Sequence, residues 1–167
     1  MTSVLTFSRN RSTSVLQVDD ETLKVSCHLN DTLTEAYVEI LVSLPELEIV
    51  SLKGEMERTY RQECREPADA LQKVVGVRVG PGVLKIIRGL IGETTECRQL
   101  AFMVEECCHG VILSLTKNEI GLAPEDPKKA KDFYKGLVED NIRLYNRCAA
   151  FAPGSAIVEG IEPPGEK

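Results

Sequence analysis

No tryptophan occurs in this chain, and aromatic residues make up only 5% of it. A base-stacking platform for single-stranded nucleic acid is therefore not expected. Positive charge is also scarce: Lys+Arg 20 against Asp+Glu 26 gives a net charge of −6 and a pI of about 5.1. No nucleic-acid partner is expected, because such binding rests on neutralising phosphates. There is no run of ~20 apolar residues, so no membrane span is expected. Only two histidines occur, His28 and His109. Nucleophile-elbow, zinc-protease, Walker and EF-hand patterns are absent. The start, Met1 to Asp20, lacks the basic-then-apolar layout of a secretory leader. The expected location is the cytoplasm, where thiols stay reduced.

What is present reads as one globular domain. The 167 residues are 43% hydrophobic and 28% charged. A chain this long buries roughly 70% of its unfolded surface without staples. Six cysteines occur at Cys27, Cys64, Cys97, Cys107, Cys108 and Cys148, with no Cys-x-x-Cys pair. That density is well below the ~8–10% of disulfide scaffolds. Free thiols or thiolate ligands are expected.

Residues 1–60 read as strands. In Thr22–Asn30 the residues Leu23, Val25, Cys27 and Leu29 share one face. Ala36–Val42 alternates likewise, and Leu47–Tyr60 forms a long strand with a bulge or bend at Gly54. Val4–Phe7 and Ser14–Val18 are two further candidates. Short links favour antiparallel pairing, hence a meander. Residues 63–150 read as helices: Pro67–Val75, Val83–Ile91, one capped by Thr94 or Thr95 and running to Thr116, and one over 127–149. Gly76–Gly82 reads as a tight connection. Strands followed by helices predict an α+β domain over 1–151, the helices on one face of the sheet. Residues 152–167, rich in Pro, Gly and Glu, read as a flexible tail.

Few residues offer chemistry. His28 falls on the polar face of its strand and His109 follows Cys107-Cys108; surface positions suit both histidines, and core packing suits the cysteine pair. Arg58, Arg61 and Arg65 alternate with Glu57, Glu63 and Glu66, which suits a solvated surface. Cys64 lies where strands give way to helices. Cys97 lies in the first turn of a helix, where the dipole favours thiolate.

The run Cys64…Val75-Gly76-Val77-Arg78-Val79-Gly80-Pro81-Gly82-Val83…Ile87-Arg88…Cys97-Arg98-Gln99-Leu100 resembles the bacterial DUF2889 family over about residues 64–112. That family shows Cys, then Leu-Val-Gly, then a short helix ending in Val-Arg, then Gly-Cys-Thr-His-Leu. Gln99 here stands for the family's His, and Val83 for a common aromatic. Asp31 matches an early Leu-x-Asp of the family. In order and architecture the chain is also similar to the NifU/IscU-type scaffolds of iron–sulfur cluster assembly, where cysteines and an Asp converge at one end of the sheet.

That second resemblance implies a metal set of Cys64, Cys97, Cys27 and Asp31, holding zinc or an iron–sulfur cluster. Three thiolates and a carboxylate complete a four-ligand site. The expected function is then a metal or sulfur carrier. The alternative is a non-catalytic binding module with structural cysteines and a pocket between sheet and helices, taking a protein partner or small ligand. An enzyme is the least supported class.

Overall fold

A computed structural model describes residues 3–60, 68–92, 98–146 and 148–163. Four strands come first: β1 (Arg9–Asp19), β2 (Thr22–Asp31), β3 (Glu35–Ser43) and β4 (Glu48–Arg58). They form an antiparallel meander in the order β1-β2-β3-β4. The helices α1 (Ala68–Leu71), α2 (Val83–Ile87) and α3 (Arg98–Ile120) follow. The architecture is α+β, as the patterning predicts.

One face of the sheet is apolar because the strand period is two. Leu23, Val25, Cys27 and Leu29 of β2 point inward with Ala36, Val38, Ile40 and Val42 of β3. Ile49 and Leu52 of β4 join them. Leu71, Val74, Val83, Ile87, Ile91, Leu100, Val104 and Val111 close the core from the helical side. Each fully buried aliphatic side chain here contributes about 1.5–3 kcal/mol. The opposite face carries polar pairs. Lys24 Nζ sits 2.7 Å from Glu39, whose carboxylate also accepts from the Tyr37 hydroxyl at 2.8 Å.

The observed elements correct several expectations. Val4–Phe7 is not a strand, and β1 begins at Arg9, five residues before the predicted Ser14. Gly54 carries no bulge. It faces Val38 in register, while the register shifts fall near Val50 and Glu57. The glycine is needed for space: a Cβ there would run into Leu71 Cδ1. The helix expected over Pro67–Val75 is α1 plus a 3-10 turn, Gln72–Val74. Gly76–Gly82 does more than connect, because Val77 and Val79 bond the edge of β4. After α2 comes a π turn, Arg88–Gly92. α3 runs one turn beyond Thr116. Pro67, Thr94 and Thr95, proposed helix starts, lie outside the described residues, as do Arg61 and Arg65.

The chain clusters into two compact units, Met1–Thr116 and Lys117–Lys167. The second holds α4 (Pro127–Asp140), whose first turn is capped by Asp126 accepting from Lys129 N at 3.0 Å. The helix stops nine residues short of the predicted 149. Asn141 leaves helical geometry (φ −130°, ψ 78°), and Asn146 adopts a φ of 58°. Asn is among the few residues that tolerate this left-handed backbone. Tyr134 packs against Phe133 and Phe151, ring centroids 5.4 and 6.5 Å away. In the segment after Phe151, Val158 is only 4% exposed, and Glu159 O accepts from Lys135 Nζ at 2.9 Å.

Candidate functional site

Arg98, Ala101, Phe102 and Glu105 recur at helical spacing along one stripe of α3. Together with Arg88, from the π turn, they line a cleft of about 240 Å³. Glu105 is buried, and its carboxylate accepts two bonds from Arg88: Nε to Oε1 at 2.8 Å and Nη2 to Oε2 at 2.9 Å. This fork fixes the guanidinium plane. The Arg88 side chain lines the cleft and remains 63% exposed. Arg98 is exposed, and no carboxylate pairs with it among the described residues. Phe102 forms the floor, with the Arg11 guanidinium 4.3 Å from its ring centroid. The cleft is thus an apolar floor under two guanidinium groups.

Further along α3 lies a second hollow, between β1 and the helix. It measures about 310 Å³ and is lined by Thr13 and Val15 of β1 and by Glu106, His109, Gly110, Leu113 and Ser114 of α3. Gly110 lets the helix approach closely. A Cβ there would meet Thr13 Cγ2 at 3.1 Å, Val15 Cγ2 at 3.2 Å and Val25 Cγ1 at 3.4 Å.

The proposed metal ligands are not drawn together where they can be followed. Cys27 and Asp31 both lie on the buried face of β2. At roughly 3.3 Å per residue, four steps set their Cα atoms roughly 13 Å apart, too far to share one ion. Asp31 already has its partners. Oδ2 accepts from Arg9 Nε and Nη2 at 2.9 and 2.7 Å, and Oδ1 from the Leu33 and Thr34 amides at 2.8 and 2.7 Å. Burial would raise its pKa, but these bonds outweigh burial and hold the carboxyl below its usual range. Cys27, Cys107 and Cys108 are fully buried. Burial pushes all three thiols up, Cys108 to about 12. They are neutral core residues at neutral pH. Cys148 is exposed. Cys64 and Cys97 lie outside the described residues. Among the described residues, no three His, Cys, Asp or Glu side chains are grouped to hold a metal. His28 lies on the polar sheet face, 3.5 Å from Glu35, and His109 lines the hollow beside Glu106.

Residues 7–109 match the family described as "Protein of unknown function (DUF2889)". The chain belongs to the DUF2889 family. No curated protein and no solved structure matches it. The DUF2889 match extends well before residue 64, taking in the whole sheet as well as α3 as far as His109. It therefore contains every residue of the first cleft, whereas the unit Lys117–Lys167 lies beyond it. Sequence reading passed over Arg88, Arg98, Phe102 and Glu105 as a site. Arg88 and Glu105 are 17 residues apart and carry no spacing signature. The available signal was the DUF2889 pattern itself: Arg88 holds the place of the family's Val-Arg, and Arg98 stands where that pattern has Thr.

Proposed function

We propose that this chain is a non-catalytic binding module and that the α3 cleft takes a small anionic ligand. The observation that carries this reading is the Arg88–Glu105 fork. A buried carboxylate orients one guanidinium at the mouth of a cleft that also holds Arg98, which has no carboxylate partner among the described residues. On a chain of net charge −6, such a local basic site selects for an anion against the background field. The volume of about 240 Å³ suits a carboxylate or phosphate group with a short apolar body resting on Phe102. The buried, neutral cysteines agree with a structural role for these thiols.

Calorimetric titration with dicarboxylates, sugar phosphates and inorganic phosphate, beside a neutral analogue, tests the reading. At least one anion should bind. Arg98→Gln should weaken it about tenfold, the value of one charge-assisted hydrogen bond, with the ligand-free melting temperature unchanged. A panel that produces no heat, or an Arg98→Gln variant that binds as well as wild type, sinks it. The carrier reading, with its likeness to NifU/IscU-type scaffolds, rests on Cys64 and Cys97. Metal analysis of anaerobically purified protein decides that one. Zinc or iron near one equivalent, lost in Cys97→Ser, would replace the anion-binding reading.

A further inference from the structure

β1 is an edge strand of the sheet. Every one of its residues except Val15 is exposed. Among the described residues, no backbone group pairs with its outward flank. An open edge of this kind is a template for another strand unless it is blunted. From Arg9 to Asp19 there is no proline and no lysine, and the one register shift falls at Val18, near the end of the strand. The outer face of the strand carries Leu16 and Val18, 60% and 59% exposed. Beside the strand on the inner face, Leu113 of α3 is 68% exposed at the rim of the 310 Å³ hollow.

We infer that this edge is a self-association surface, where a second copy of the chain pairs its own β1 antiparallel and two sheets become one. Charge is compatible with that occupant, although Arg9 also holds Asp31 and Arg11 lies over Phe102. β1 carries Arg9 and Arg11 at its start and Asp19 at its end. An antiparallel pairing centred on Ser14 sets Arg9 against the other copy's Asp19, and one centred on Val15 sets Arg11 against it. A twofold axis makes each such contact twice. Parallel pairing would set arginine on arginine, which is disfavoured.

Geometry selects it. Gly110 approaches Thr13 and Val15 of β1 and Val25 of β2, so α3 runs over the seam between these strands. In a continuous sheet the two equivalent seams lie two strand spacings apart, roughly 10 Å. That is the distance at which helices pack, about 8–10 Å. The second α3 therefore lands against the first, over the hollow, and covers Leu113. A lone extended peptide on the edge would leave Leu113 and the hollow open.

Sedimentation of the full chain tests this, with the double variant Leu16→Lys/Val18→Lys and the single variant Leu113→Arg. All three positions are exposed, and unchanged melting at high dilution checks the fold. Wild type should sediment as twice 18.5 kDa at roughly 100 μM, well above a micromolar Kd. Each variant should associate roughly tenfold more weakly, since the twofold axis brings every substituted position into the interface twice and a charge on an edge strand opposes pairing. Wild type that stays at 18.5 kDa overturns the proposal and leaves the edge to an extended segment of a different protein. A dimer indifferent to both variants overturns it too. Neither outcome touches the anion cleft, whose Arg88, Arg98 and Phe102 are unaltered in these variants.

Discussion

At β4, Ile49 N donates to Val77 O at 2.9 Å, Ile49 O accepts from Gly76 N at 2.8 Å, and Leu47 O accepts from Val79 N at 2.8 Å. Further along, Gln72 Nε2 reaches Leu52 O, also at 2.8 Å. At β1, the other border of the same sheet, the outward flank has no such partners among the described residues. The difference shows where the fold spends its covering elements. The loop after α1 is laid along β4, where Ile49 and Leu52 belong to the core. β1 lends that core only the half-buried Val15 and is left for something else.

Matched substitutions on the two borders test the contrast most directly. Ile49→Ala should cost about 3 kcal/mol in urea unfolding, because a fully buried side chain leaves a cavity between sheet and loop. A loss under about 1 kcal/mol would mean that the β4 border is as loose as the other. Next comes Gly54→Ala, expected to cost roughly 2 kcal/mol as the buried Leu71 is forced aside. If it proves neutral, α1 does not hold its close approach to β4.

A smaller effect belongs to the carboxylates. Asp31 is held below its usual range by Arg9, Leu33 and Thr34 against the opposing push of burial; Glu39 is held down by Lys24 and Tyr37. A depressed carboxylate stabilises the fold above its unfolded pKa of about 4, and that contribution is lost as pH falls through the folded value. Unfolding free energy should therefore begin to drop near pH 5 and continue down below pH 4. Asp31→Asn should lower stability by about 1–2 kcal/mol at pH 7 and flatten this acid limb. An unflattened limb would move the acid sensitivity elsewhere. Smallest of all should be Leu16→Ala on β1, within about 0.5 kcal/mol when measured at high dilution. Dependence of that value on protein concentration would point back to self-association.

Much of the sheet was legible in the sequence, and the reason is local. β2 and β3 each bury one face, so Leu23 to Leu29 and Ala36 to Val42 alternate visibly. The first part of β1, Arg9 to Ser14, has no such signal. It is polar throughout and is a strand because β2 lies beside it, residue for residue from Arg9 opposite Asp31. The overlong α4 came from apolar spacing that continues past Asn141, where the backbone turns away. Gly76–Val79 reads as a turn because its role is to meet Leu47 and Ile49, which no local pattern reports. The cleft was hidden for the same reason. Arg88 and Phe102, 14 positions apart, share no local pattern, and only the fold sets them around one hollow.

Asp31 has a kinetic consequence. Its carboxylate binds Arg9, 22 positions earlier, and its carbonyl accepts from Arg58 Nη2 at 2.6 Å, 27 positions later. One residue therefore ties the first strand to the last. Such a tie closes only after β4 has been placed, since the loop entropy must be met before the contact forms. It should be absent from the folding transition state. In stopped-flow measurements Arg58→Ala, which removes the bond to the Asp31 carbonyl, should then speed unfolding and leave the folding rate nearly as it was. The latch sets how long the folded chain lasts and has little say in how quickly it is reached.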